Sequence, residues 1–272
     1  MKNTYPKKTT SMVGSIEADI IPVSLDRDSV YETNTLYWDT TGSEDIGVTA
    51  LPLYGAFVSE EKCKLFGDVS GKKLLEIGCG SGESLKYLGE RNHCELWGMD
   101  ISENQIKKSN SLLAEHGLSA KLICSPMEEE CGIPVDYFDI VYSVYAIGWT
   151  TDLDITFDRI ASYLKKDGVL IFSWSHPIHK CVAVENDTLI FKKCYFDESR
   201  YLLPLGEGTL TLSDYKLSTY VNALAKAGFF IEKLIEESDY DITKNHDGIF
   251  ARKAEMLPVT FVIKARKRLN YD

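Results

Sequence analysis

The run Leu74-Leu75-Glu76-Ile77-Gly78-Cys79-Gly80-Ser81-Gly82-Glu83-Ser84 decides the fold, because it reads as a buried strand breaking into a glycine turn that opens a helix. Lys73 to Ile77 supplies the strand, and Ser84 to Leu88 restores apolar residues at helical spacing. Glycine at 78, 80 and 82 strips side chains from one face of the turn, so a ligand can approach the backbone to contact distance. A nucleotide-like cofactor is expected there. The dinucleotide pattern GxGxxG fails, since its third glycine would fall at position 83, which is Glu83. Glu76 instead directs a carboxylate toward the site, where it would repel a pyrophosphate and attract a cation.

A second marker stands 22 residues beyond Gly78, where Glu95-Leu96-Trp97-Gly98-Met99-Asp100 ends an apolar run on an acid. A carboxylate at the end of the second strand can accept charge-assisted hydrogen bonds from both hydroxyls of a ribose. The Glu-x-Gly-x-Gly-x-Gly run and this acid together resemble motif I and its partner in the class I S-adenosylmethionine-dependent methyltransferases. The resemblance implies S-adenosylmethionine as cofactor, a molecule with a sulfonium and an ammonium and no phosphate. It further implies cofactor contacts from Glu76, Gly78, Gly80, Gly82 and Asp100, an adenine wall from Ile101, and a helix cap at Ser102. Ser143, at the end of the fourth strand, is placed with the cofactor contacts. One departure stands out: Cys124-Ser125-Pro126-Met127-Glu128 has a proline at or beside the family's usual acid. The adenine contact is therefore assigned to the backbone around Met127, with Glu128 as a side-chain partner.

The order of elements fits an α/β fold, a doubly wound, seven-stranded, mostly parallel sheet with a small lid insertion, and the family resemblance implies that its last strand enters antiparallel. After the first two strands come Ala120 to Cys124, Phe138 to Ser143, Val169 to Trp174, Phe229 to Ile235 and Val259 to Ala265, with a helix expected after each strand. Helices are read at Leu153 to Leu164, capped by Asp152, and at Ser213 to Gly228. The similarity is strong from Lys72 to Gly168 and rests on element order beyond. Residues 1–24 read as a mobile N-terminal arm, and 25–272 as one methyltransferase domain with its lid insertion at about 177–212.

Composition narrows the function. A net charge of -11 disfavours nucleic acid as substrate, which needs a basic face. No apolar run reaches the length of a membrane span and no signal pattern opens the chain, so a cytoplasmic location is expected. The seven cysteines include no CxxC pair and read as reduced, mostly buried hydrophobes, and no metal centre is implied.

The end of the fourth strand, Tyr142-Ser143-Val144-Tyr145-Ala146-Ile147-Gly148-Trp149, is where the family meets its acceptor. It lacks an Asn/Asp-Pro-Pro-aromatic motif and a Pro-Cys pair, which disfavours nucleobase amino groups and pyrimidine C5. A small molecule methylated on O, N, S or activated C is expected, with Tyr145 and His176 as the catalytic candidates. His176 reads equally as a general base or as a residue orienting the insertion that follows it. Phe191, Tyr195, Phe196 and Tyr201 of the insertion offer an apolar pocket, with Tyr31, Tyr37 and Trp38 closing the other side. A tRNA-modifying methyltransferase and a non-catalytic S-adenosylmethionine-binding protein stand as alternatives; a nicotinamide oxidoreductase is disfavoured by Glu83. Oligomeric state is not legible in the sequence.

Overall fold

Leu74, Leu75 and Ile77 are at most 1% exposed, and Glu76 between them is buried too. A strand covered on both faces belongs inside a parallel sheet flanked by helices. The computed structural model describes residues 9–13, 16–40, 49–91, 93–186, 188–244 and 248–268. In chain order the described strands are β1 (Thr9–Val13), β2 (Ile16–Pro22), β3 (Lys73–Ile77), β4 (Glu95–Asp100), β5 (Lys121–Cys124), β6 (Phe138–Val144), β7 (Leu164–Ser175), β8 (Val182–Glu185), β9 (Thr188–Phe191), β10 (Arg200–Leu205), β11 (Gly208–Ser213), β12 (Phe229–Ile235) and β13 (Thr260–Lys267).

Seven of them form one sheet in the order β12-β13-β7-β6-β3-β4-β5. The pairs from β7 to β5 are parallel, whereas β13 runs antiparallel to both of its neighbours. This is the doubly wound, mostly parallel sheet with an antiparallel last strand that the sequence predicts. The chain lays β4 and β5 to one side of β3, then returns to lay β6 and β7 on the other. Loops at the carboxyl ends of β3 and β6 therefore diverge and open a crevice between them.

Local capping follows the sequence. Ser102 Oγ accepts the Gln105 amide at 3.1 Å and Asp152 Oδ1 accepts that of Ile155 at 3.1 Å, starting the helices Glu103–Glu115 and Leu153–Tyr163. Three expectations change. No helix joins β5 to β6 among the described residues; Pro126, Gly132 and Pro134 break that connection into turns. The helix expected from Ser213 starts at Leu217, because Ser213 completes β11. Of the seven free cysteines only Cys79 and Cys181 are buried, and Cys124 is exposed.

The insertion folds as two hairpins, β8–β9 and β10–β11, preceded by a short helix at Pro177–Cys181. The N-terminal arm is not free over its described residues: β1 pairs with β2, and β2 joins β10 through Ile21↔Leu202 and Pro22↔Tyr201. The resulting sheet, β1-β2-β10-β11, covers the edge that β10 would otherwise expose. Its other edge is closed by a side chain. Asn34, buried on the helix Arg27–Thr40, donates Nδ2–H to Thr211 O at 3.1 Å and accepts the Thr211 N–H through Oδ1 at 2.8 Å. Among the described residues no helix is long and apolar enough to cross a membrane.

Asn34→Ala leaves both backbone groups of Thr211 without that partner, and the expected cost is about 2 kcal/mol. A fall in Tm of about 4 °C or more on thermal unfolding is the corresponding signal. A Tm equal to that of the native chain would show that the clip does not hold the second sheet.

Candidate functional site

The crevice at the winding reversal forms a cleft, and the glycine turn is its floor. Gly78 and Gly80 both hold left-handed φ values, 72° and 48°. A Cβ at Gly78 would stand 2.2 Å from Ala146 Cβ, so the loops after β3 and β6 touch through this glycine. A Cβ at Gly80 would meet nothing within 4 Å, which leaves bare backbone at the cleft. Gly82 differs from the expectation. It does not line the cleft, and a Cβ there would press to 2.4 Å from Ser109 Oγ, so it serves the packing of the two flanking helices.

Asp100 ends β4 with both oxygens engaged by backbone: Oδ2 accepts from Gly80 N at 2.9 Å and Oδ1 from Ser102 N at 3.0 Å. Burial raises its pKa, and those amides oppose the rise. Glu76 lines the same cleft, and its Oε2 accepts from Tyr142 Oη at 3.2 Å. Burial lifts its carboxyl well above the ordinary range, against hydrogen bonds from Ser84 and Tyr142. Ile101 and Met127 line the cleft as the sequence suggests. Gln105 lines it too, and its buried Oε1 has no hydrogen-bond partner among the described residues. Cys79 is buried against Gly98, and burial raises its thiol pKa, so it packs rather than reacts.

Glu128 reaches the cleft but is also a brace. Its Oε2 accepts from Tyr31 Oη at 3.0 Å, while Oε1 accepts from Thr150 Oγ1 at 2.8 Å, Thr151 Oγ1 at 2.9 Å and Thr151 N at 2.5 Å. These bonds tie the N-terminal helix and the loop after β6 to the segment after β5. Ser143 does not reach the cleft; it is fully buried and donates Oγ–H to Ile77 O at 2.9 Å, joining β6 to β3.

The two catalytic candidates part company. Tyr145 lines the cleft with φ at 55°, a conformation rare for a residue with a side chain. Its hydroxyl lies 3.4 Å from Thr260 Oγ1, and burial raises its pKa, so the phenol keeps its proton. His176 lies outside the cleft lining. Its Nδ1 accepts the Ile178 amide at 3.1 Å, which puts the ring proton on Nε2, 2.7 Å from Glu236 Oε1. Burial lowers its pKa and Glu236 opposes this. His176 thus caps the helix Pro177–Cys181, and of its two expected roles the geometry fits orientation of the insertion.

The pocket expected from the insertion's aromatics is not formed. Phe191 and Phe196 are exposed, Tyr201 is buried in the core, and none of these or Tyr195 lines the cleft. Tyr31 and Trp38 do line it, whereas Tyr37 is a core residue. The insertion's single cleft residue among those described is Lys180, which sequence reasoning missed. Its position four residues after His176 gives the one local hint. Burial of a lysine cannot be read from spacing.

The family described as a methyltransferase domain matches residues 75–172. An uncharacterized Haemophilus influenzae protein is 32% identical over 120 residues, 43% of this chain and 47% of that protein. A ubiquinone biosynthesis O-methyltransferase of Rhodopseudomonas palustris is 26% identical over 168 residues, 58% of this chain and 63% of that enzyme. The chain thus spans less than two thirds of either relative. Among solved structures, an S-adenosylmethionine-dependent methyltransferase from Mesorhizobium loti superposes with a TM-score of 0.58 at 21% identity, covering 75% of this chain and 94% of that one.

Glu128→Ala is expected to destabilise the ligand-free protein by roughly 2 to 4 kcal/mol, because four donors lose their shared acceptor. Thermal unfolding without added ligand checks this. An unchanged Tm would remove Glu128 from the brace and leave it a ligand contact only.

Proposed function

We propose that this chain, a class I S-adenosylmethionine-dependent methyltransferase by its domain and fold, transfers a methyl group from S-adenosylmethionine to a small-molecule nucleophile in the cleft between β3 and β6. The observation that carries the reading is the meeting of a bare glycine turn with two carboxylates, the buried Glu76 and the half-buried Asp100, at one crevice. Those acids suit a cationic cofactor and oppose a pyrophosphate. Asp100 has lone pairs left for ribose hydroxyls, Glu76 suits the cofactor's ammonium, and Ile101 and Met127 offer apolar surface to the adenine. The orphaned Gln105 Oε1 fits a hydrogen-bond donor on the ligand.

Bound there, the cofactor would supply an electrophilic methyl group whose carbon–sulfur bond breaks toward sulfur as a nucleophile's lone pair arrives. With a good leaving group, the protein's task is mainly to align the acceptor and keep water out. Tyr145 is placed to donate a hydrogen bond to the acceptor, and His176 acts at one remove, by fixing the helix that follows it. The unit is taken as residues 25–272 with the insertion at 177–212. The free cysteines fit a reducing compartment, and the cytoplasm is the proposed location.

Calorimetry tests the cofactor. S-adenosylhomocysteine should bind and NAD should not, with a pH signature from Glu76. Its raised pKa leaves part of the ligand-free protein protonated above the ordinary carboxyl range, whereas a cofactor ammonium selects the ionised form. Binding then releases a proton, and affinity rises with pH until Glu76 is fully ionised in the free protein. Glu76→Gln should bind more weakly and lose that slope. Preference for NAD, or an equal slope in both proteins, would reject the assignment.

The substrate class separates by salt. Turnover of a small acceptor should change little between about 50 and 200 mM salt, while a tRNA complex would weaken steeply as counterion release is suppressed. Tight, salt-sensitive binding of bulk tRNA would put the nucleic-acid alternative first.

A further inference from the structure

Lys180 is the one basic residue lining the cleft among the described residues, against four acids, Glu76, Glu83, Asp100 and Glu128. It is 3% exposed. Its Nζ donates to Asp214 Oδ1 at 2.6 Å and stands 5.2 Å from the centroid of the Trp174 ring. Asp214 does not depend on it for partners: Lys193 Nζ takes Oδ2, and Tyr201 Oη donates to Oδ1 at 2.7 Å. Burial pushes the Asp214 carboxyl up, but the two ammoniums outweigh it and hold it at about 2. Burial draws the Lys180 ammonium below its ordinary range, and Asp214 opposes that. Asp197, the other acid that feels Lys193, spends its carboxylate on Ser199. A buried cation that its partner can spare adds little to stability, since an apolar side chain of similar length would cost less.

The surface beside Lys180 is aromatic. Trp38 meets Trp149 edge-on at 5.5 Å, Trp149 meets Trp174 at 5.2 Å, and Tyr145 meets Trp174 at 5.3 Å, all four lining the cleft. Gly148 admits this wall, since a Cβ there would fall 1.8 Å from the Trp174 ring. The wall runs to the ammonium. Backbone pins the cation's helix as well: His176 N donates to Val259 O at 3.0 Å, and its ring caps the turn that carries Lys180.

We propose that Lys180 is a specificity-determining residue for a methyl acceptor that is a flat, apolar acid, whose carboxylate pairs with Nζ while its ring lies along Trp38, Trp149 and Trp174. Glu76 and Asp100, on β3 and β4, repel such an anion and Lys180 attracts it, so the charges favour the cofactor beside those strand ends and the acceptor beside Lys180. The inference rests on the methyltransferase reading, because that reading gives the acidic end to the cofactor.

Benzoate, indole-3-carboxylate and naphthoate, each beside its amide, are titrated by calorimetry into the protein saturated with S-adenosylhomocysteine. At least one acid should bind about tenfold or more tightly than its amide, the scale of a hydrogen bond to a charged group. Lys180→Met should bring that ratio near one, whereas Lys193→Met, which alters the same carboxylate from outside the cleft, should keep it. Equal binding of every acid and its amide by the native protein overturns the proposal whether or not the variant folds, as does a preference that survives Lys180→Met. A protein that does not bind S-adenosylhomocysteine at all fails the methyltransferase reading instead, so the two failures are distinguishable.

Discussion

The Asp100 carboxylate is the tie on which the cleft depends. One oxygen takes the amide of Gly80 in the turn after β3, and the other takes the amide of Ser102 in the turn after β4. Met99 O accepts from both Gly78 and Cys79, so with the Gly80 bond three hydrogen bonds join the turn after β3 to the end of β4. Left-handed glycines alone would permit many turn shapes; the carboxylate selects one. The cost is partial withdrawal of an acid from water, which raises its pKa. A group that shapes the turn and lines the cleft couples the backbone to whatever binds there, and this explains how an acid can persist in so enclosed a place.

Electrostatics then divides the cleft. Glu76, Glu83 and Asp100 lie at or just past the carboxyl ends of β3 and β4, Glu128 follows β5, and the cation enters from the insertion. The overall charge of -11 bears mainly on which macromolecules are repelled. Within the cleft, where the side chains are withdrawn from water, the placement of single charges matters more than their sum.

What could be read in the sequence was local. Strand, turn and helix around Gly78 occupy adjacent positions, and the caps at Ser102 and Asp152 act across three residues, so composition and spacing suffice. The mostly parallel sheet followed from alternation, and its antiparallel last strand from the family resemblance. What could not be read depends on distant partners: Gly82 abuts Ser109, and Asn34 closes an edge 177 residues away. His176 shows the same limit. Its place after the fifth strand suits a base, but Glu236 and the Ile178 amide occupy both ring nitrogens, and only folding brings Glu236 there. Lys180 escaped notice because an isolated lysine in sequence ordinarily signals solvent. The absence of a helix between β5 and β6 has a local signal, since Pro126, Gly132 and Pro134 leave no uninterrupted run long enough for a stable helix.

The second sheet gives the cation a foundation of its own. Asp214 directly follows β11 and Tyr201 lies in β10, so the strands that the N-terminal arm extends also set the carboxylate that holds Lys180. Glu76 and Asp100, by contrast, stand on β3 and β4 of the large sheet. The two kinds of charge in the cleft are therefore positioned by separate frameworks joined at the helix Arg27–Thr40, through Asn34 on one side and the Glu128 brace on the other. Lys180 and Asp214 are carried by the insertion and the end of β11, whereas Gly78 to Asp100 belong to the stretch from β3 to β4. On the proposed reading, that separation would let acceptor choice change on a fixed glycine turn, because function sits in side chains grafted onto a frame they do not have to support.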